Sequence, residues 1–294
     1  MDLSVIIVTY NSAPTISNCL HSVRQQEGVP FEILVVDNAS ADDTVQRVRA
    51  LGAGIELLAN PRNIGFGRAC NQGAAASKGK ILFLLNPDAQ IQGTDALASI
   101  AEAFQENPRW GIAGTRIVRP DGRVEKFGEP NYPGERHFHC DFSHLPGKLA
   151  WVLGASMGLR REVFFAVDGF DPGFFLYSEE TDLCLRVRQA GWEIGFLPQV
   201  TVRHIGGVSE RDADPYDMWL RRMTGVHRFW AKHYPSRDVR RIVRLDWFRA
   251  SFRREWYNLA RRLQGPQSRA WLKHREYAAI SEASRRFLWE NYPR

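Results

Sequence analysis

Three short, almost unbroken apolar runs constrain the fold more than any other feature: residues 3–8 (LSVIIV), 31–36 (FEILVV) and 81–85 (ILFLL). Each stops at a polar cluster. Runs of this length, rich in β-branched side chains, suit strands covered on both faces, as in a parallel sheet. Between them the spacing turns helical: Ser12-Ala13-Pro14 opens a helix running through Cys19 and Leu20 to Val23. A further helix-and-strand unit leads to residues 55–58. This alternation predicts an α/β fold, a mostly parallel, doubly wound and twisted sheet flanked by helices. Ligands of such sheets sit beyond the carboxyl ends of the strands. Thr9-Tyr10-Asn11, Asp37-Asn38 and Asn86-Pro87-Asp88 fall at those ends.

After Gly111 the texture changes. Residues 112–118, a Pro120-Asp121-Gly122 turn and residues 124–127 predict a hairpin. Residues 128–148, rich in Pro, Gly, His and aromatics, read as a long mobile loop. Residues 151–159 predict a strand, 161–167 a short helix and 200–205 a strand, and the pattern is helical from Tyr216 onward. The organisation expected is a catalytic domain over residues 1–235, with a nucleotide-binding half (1–110) and an acceptor or catalytic half (111–235). A basic helical extension, 236–294, follows.

Charge separates that extension from the rest. The net charge is +6, yet residues 236–294 hold 15 Lys and Arg against 6 acids, so residues 1–235 are net acidic. Leu245, Phe248, Phe252, Trp256, Leu259 and Leu263 step by three and four, with arginines on the other faces. Such a helix over residues 245–263 suits an anionic membrane surface. The same stripe would also fit its own catalytic domain or a second copy in a homo-oligomer. No recognised nucleic-acid motif accompanies the charge, which argues against nucleic acid as a partner. No apolar run reaches the roughly 20 residues of a membrane span, and the start resembles no signal peptide. The expected location is the cytoplasm, peripheral at the inner face of the membrane. Cys19, Cys70, Cys140 and Cys184 have no metal-ligand spacing and read as reduced thiols.

Several polar positions fit transfer chemistry. Asp37 can accept from a base imide or a ribose hydroxyl, or close an Asx turn before the helix at Thr44. Asp88 can ligate a cation, since Mg²⁺ and Mn²⁺ often take only one or two protein carboxylates beside diphosphate oxygens; it can equally be a turn residue. In residues 174–192, Glu179 and Glu180 suit a helix N-terminus. Glu180 also heads the stripe Leu183, Cys184, Val187, where a carboxylate is costly unless it opens onto a polar cleft. That selects Glu180 as a candidate base, with Glu179 and Asp182 as secondary candidates; Asp182 can instead pair with Arg186 at i+4. His204 ends a strand before two glycines and can offer an imidazole to a metal or a diphosphate, or serve structurally. The dinucleotide fingerprint, the Walker loop and the hydrolase elbow are absent.

In order, VIIVTYNS (5–12), ILVVDNASADDT (33–44), NPRNIGFGRACNQG (60–73), ILFLLNPDA (81–89), GASMGLRREVFFAVDGFD (154–171), FFLYSEETDLCLRVRQAGW (174–192) and VRHIGGVS (202–209) resemble the family 2 inverting glycosyltransferases of the GT-A fold, in their rhamnosyltransferase-like branch. The resemblance implies that Thr9, Tyr10, Asn11, Asp37, Asn63, Asn86 and Asp88 bind the nucleotide sugar. Asn86-Pro87-Asp88 stands for the family's D-x-D metal motif, leaving one acid for Mg²⁺ or Mn²⁺, joined by His204. Glu179-Glu180 stands for its Glu-Asp pair, with Glu180 as the base. The donor implied is dTDP-rhamnose or a UDP-sugar; the acceptor is a hydroxyl of a glycan or a lipid-linked glycan. Two other readings are a sugar nucleotidyltransferase, for which residues 9–14 lack the glycine-rich basic loop, and a silent nucleotide-sugar-binding scaffold.

Overall fold

A computed structural model describes residues 1–125, 128–138, 140–206, 214–265 and 268–292. These fall into two compact units. The first comprises Met1–Tyr132, Ser143–Phe175 and Glu179–Ser209; the second comprises Pro133–Phe142, Leu176–Ser178 and Glu210–Arg294.

The first unit is built on an eight-stranded sheet. The apolar runs form β1 (Leu3–Thr9), β2 (Phe31–Asp37) and β4 (Ile81–Leu85), joined by β3 (Ile55–Ala59). The remaining strands are β5 (Ala89–Ile91), β6 (Trp110–Val118), β9 (Ser156–Arg160) and β10 (Glu193–His204), in the order β3-β2-β1-β4-β9-β6-β10-β5. β1 to β4 are parallel, as are β6 and β10. Alternate side chains enter separate cores: Val5 and Ile7 pack with α1 (Ile16–Arg24) and α4 (Ala96–Glu106), whereas Ile6 and Val8 pack with α3 (Phe66–Ala76) and α7 (Glu179–Gln189). Each such fully buried aliphatic side chain contributes about 1.5–3 kcal/mol, so both faces of the sheet hold it in place.

The sheet is mostly parallel, as expected, with two exceptions. β9 runs antiparallel between β4 and β6, and the short β5 pairs antiparallel with β10. β9 follows a chain reversal and not a crossover helix, so it need not run parallel. The predicted hairpin shrinks to one bridge, Val118 to Val124, with the Glu125 amide donating to the Ile117 carbonyl; residues 126 and 127 lie outside those described. The strand expected over residues 151–159 is divided. β8 (Trp151–Val152) turns away to pair with β7 (Gly128–Glu129), where a side chain on Gly128 would meet the Trp151 carbonyl at 2.5 Å.

The segment expected to be a mobile loop carries structure as well. Besides β7 it contains α5 (Glu135–Phe138), and Tyr132 is buried. The Arg188 guanidinium, itself buried, donates to the carbonyls of Leu145, Pro146 and Gly147 and to the Tyr132 hydroxyl. Five donors in a planar fork let one arginine satisfy several loop carbonyls at once.

The second unit is helical, with α5, α8 (Pro215–His233), α9 (Ser236–Gln264) and α10 (Arg269–Asn291). Phe138 stacks on Tyr234 at 4.4 Å, and the Trp230 indole donates to the Pro133 carbonyl. Asp214 caps α8 by accepting from the Tyr216 amide, and Ser268 caps α10 by accepting from the Trp271 amide. His227 lies between the Trp230 and Phe287 rings, fully buried. Burial pushes its pKa down to about 4, only slightly offset by the nearby Ala283 backbone.

The unfolded chain therefore takes up a proton at His227 near the ordinary value of 6.5, whereas the folded chain waits until about 4. The stability linked to this group is present above pH 6.5 and falls by about 3 kcal/mol as pH drops toward 4. Denaturant titration of His227→Phe over that interval is expected to show a shallower loss than wild type. Equal slopes would remove His227 as the source.

Candidate active site at the strand ends

In-register pairing brings the polar ends together. Thr9 pairs with Asp37 across β1 and β2, and its hydroxyl donates to the buried Asp37 carboxylate at 2.8 Å. The same carboxylate accepts from the Ser40 amide and hydroxyl, so Asp37 holds a turn as well as facing the strand ends. Asn11 is left-handed (φ 49°), a conformation asparagine tolerates, and its side chain accepts from the Ala41 amide. The loops after β1 and β2 are thereby locked to each other. Tyr10 is exposed, and its backbone amide and carbonyl both bond to the Ser12 hydroxyl.

A second network lies beyond β3. Asn63 accepts from the Gly65 amide, while the Gly65 carbonyl accepts from Asn38 and Asn38 in turn accepts from Asn60. Gly65 has φ 92°, and a side chain there would meet the Phe175 carbonyl at 2.6 Å. Only glycine fits this corner before α3.

The third cluster gathers residues more than a hundred positions apart. β10 pairs with β5 so that His204 lies opposite Ala89, and the Ile205 amide donates to the Asp88 carbonyl. His204 Nε2 is 3.2 Å from Asp88 Oδ1 and 3.4 Å from Asn86 Nδ2, while Nδ1 is 3.3 Å from Glu125 Oε2. Burial alone would depress this imidazole. The hydrogen bonds and charges of Asp88 and Glu125 outweigh it and hold the pKa above the ordinary histidine value.

Glu125 was not foreseen. Its only sequence signal is an acid after a turn, and the partner that gives it meaning is 79 residues away. Among the described residues no three His, Cys, Asp or Glu side chains form a ready metal cage. Asp88 and His204 still offer an oxygen and a nitrogen on adjacent loops. A divalent ion that completes its shell with diphosphate oxygens needs no more from the protein.

The paired glutamates have different surroundings. The chain enters α7 through Tyr177 and Ser178, both left-handed (φ 73° and 69°), a strained approach for two residues other than glycine. Glu179 is only 4% exposed, and among the described residues its Oε2 has no hydrogen-bond partner. Burial, and then the charge of Glu180, push its pKa well above the usual carboxylate range. Glu180 is half-buried and lies beside Gly154, where an added Cβ would be 3.6 Å from the Glu180 Cβ. Gly154 precedes Ala155, whose carbonyl accepts from the Asn86 amide at 2.9 Å. This sequence of contacts runs from Glu180 to the loop that carries Asp88. Asp182 is fully buried and pairs with Arg186 at 2.8 Å; Arg186 also donates to the Val167 and Gly169 carbonyls. Asp182 is thus occupied in holding a loop.

The model of "Glycosyl transferase family 2" matches residues 4–178, more than half of the chain. The chain belongs to this family. A relative from Mycobacterium tuberculosis, an N-acetylglucosaminyl-diphospho-decaprenol L-rhamnosyltransferase, is 28% identical over 235 residues, covering 69% of this chain and 75% of the relative. The O-antigen chain rhamnosyltransferase WbaN of Salmonella anatum is 24% identical over 68% of this chain and 65% of its own length. Among solved structures, a mannosyltransferase from Pyrobaculum calidifontis in complex with GDP-Man and Mn²⁺ aligns with a TM-score of 0.62 at 20% identity, covering 98% of this chain and 87% of that one. TarS of Staphylococcus aureus in complex with UDP aligns at 0.57 and 15%, covering 100% and 93%. These likenesses identify the GT-A fold. The chain is a family 2 glycosyltransferase, and the strand-end clusters are its candidate active site. The family match ends at Ser178, so roles for Glu179, Glu180 and His204 rest on this chain's own geometry.

A separate hollow of about 500 Å³ lies in the helical unit, lined among others by Trp230, Arg241, Leu245 and Asp246. None of the strand-end residues lines it.

Proposed function

We propose that this glycosyltransferase moves rhamnose from dTDP-rhamnose, or a sugar from a UDP donor, onto a hydroxyl of a lipid-linked or cell-surface glycan in the cytoplasm, with inversion. The rhamnosyl reading is supported by the names of the mycobacterial and Salmonella relatives, the first of which names a diphospho-decaprenol. The observation that carries the reading is the contact of Asp88 with His204 at 3.2 Å on the loop whose Asn86 amide is bonded to Ala155, next to Gly154 and Glu180.

In this reading Thr9, Tyr10, Asn11, Asp37 and Asn63 shape the nucleotide side, within residues 1–110. Glu180 takes the proton of the acceptor hydroxyl. The acceptor oxygen forms its bond to the anomeric carbon as the bond to the diphosphate breaks, and the diphosphate leaves with the electron pair. A Mg²⁺ or Mn²⁺ ion held by Asp88 and His204 would supply positive charge to that leaving group. Burial, and then the charge of Glu180, disfavour ionisation of the enclosed Glu179, and Asp182 acts through Arg186 on the surrounding loop.

The test is a donor panel with Mn²⁺ or Mg²⁺ and no acceptor, read by thermal shift and by slow release of free nucleoside diphosphate. The largest shift is expected with dTDP-rhamnose. A panel with no shift and no release would overturn the enzymatic reading.

A further inference from the structure

Helix α9 is anchored along one face and open along another. Val239, Val243 and Ala250 are buried, the Ser251 hydroxyl bonds that of Ser281, and Tyr257 stacks on Tyr277 of α10. On the other side Phe248, Phe252, Trp256, Leu259 and Leu263 are 63–87% exposed, with Leu245 beginning the row. A step of about 100° per residue puts these six side chains on a single strip roughly 27 Å long. Large apolar side chains left in water over this length mark an interaction surface.

The borders of the strip indicate what covers it. By the same helical step Arg249 and Arg253 flank one side, Arg244 and Arg262 the other, and all four are exposed. Among the described residues Arg244, Arg249 and Arg262 make no ion pair. Glu255, the acid on the border, is already paired with Arg254 at 2.7 Å. Along α9 nine arginines face three acids, so the complementary surface must be anionic. A second copy docked by a two-fold axis would set arginine border against arginine border. No helix among the described residues is long and apolar enough to cross a membrane. An apolar strip with aromatic residues between rows of arginine suits a helix lying in the plane of an anionic bilayer surface.

We infer that α9 docks the enzyme on an anionic membrane, its strip from Leu245 to Leu263 entering the headgroup boundary and its border arginines pairing with lipid phosphates. The inference rests on the proposed lipid-linked acceptor for its purpose, and its test stands apart from catalysis. The full chain is sedimented with phosphatidylcholine vesicles, with or without phosphatidylglycerol. Binding is expected only with the anionic lipid, and to weaken with salt. Phe248→Ser/Phe252→Ser/Trp256→Ser and Arg244→Gln/Arg249→Gln/Arg262→Gln are each expected to lower partitioning about tenfold or more. Donor hydrolysis and circular dichroism should stay unchanged in both. Absence of wild-type binding, equal binding to neutral vesicles, or full binding by both variants would overturn the inference. So would a concentration-dependent dimer that either variant dissolves, because the strip would then face a second copy. Vesicle binding without any donor hydrolysis would sink the catalytic reading and leave this one standing.

Discussion

Replacing Glu180 with Gln is expected to lower turnover by about 10²-fold or more while leaving donor affinity near wild type. The amide keeps the size of the side chain and its place beside Gly154 but cannot take a proton. The groups proposed to bind the donor, at the ends of β1, β2 and β4, are untouched, so kcat should fall without a matching rise in the donor Kd. The pair also offers an internal control. Glu179→Gln replaces a carboxyl whose ionisation burial, and then the charge of Glu180, disfavour, at 4% exposure. Its effect on turnover should be far smaller. Near-normal turnover in Glu180→Gln, or a larger loss in Glu179→Gln, would transfer the proton-accepting role or remove it from this helix.

The Asp88→Asn variant should lose about 10²-fold or more in activity, together with the response to added Mn²⁺ or Mg²⁺. The substitution keeps shape and can still hydrogen-bond His204, but it removes the carboxylate charge that a small divalent ion requires. Mn²⁺ binding followed by the paramagnetic signal of the free ion, in the presence of nucleoside diphosphate, gives a readout independent of turnover. Weaker Mn²⁺ retention in the variant is the expected result. An unchanged metal response would mean that Asp88 serves only the turn and His204.

How much of this was legible in advance depends on the residue. The end of β1 and the end of β2 were readable because each is the edge of its own apolar run. The Thr9 to Asp37 hydrogen bond then follows from parallel pairing in register. Glu180 was less secure than its spacing implied. An apolar stripe marks the inward side only of a helix with one buried face, yet α7 is buried on nearly every side, with Thr181, Asp182, Leu185 and Arg188 enclosed as well. On such a helix the phase of the apolar positions no longer separates an inward acid from an outward one. Glu179 became the enclosed member of the pair, and Glu180 the half-open one.

By itself the sequence determined β1 to β4, the polar clusters at their ends, the basic extension and the apolar stripe of α9, but not that this stripe is exposed, because side-chain periodicity records only which face of a segment is apolar. Only the tertiary structure decided that β9 and β5 run antiparallel, that Arg188 ties down the segment before β8, and that Glu125 and Asp88 meet His204. Those outcomes depend on which strands become neighbours, and that choice is made by packing between residues far apart along the chain, where no local period reaches.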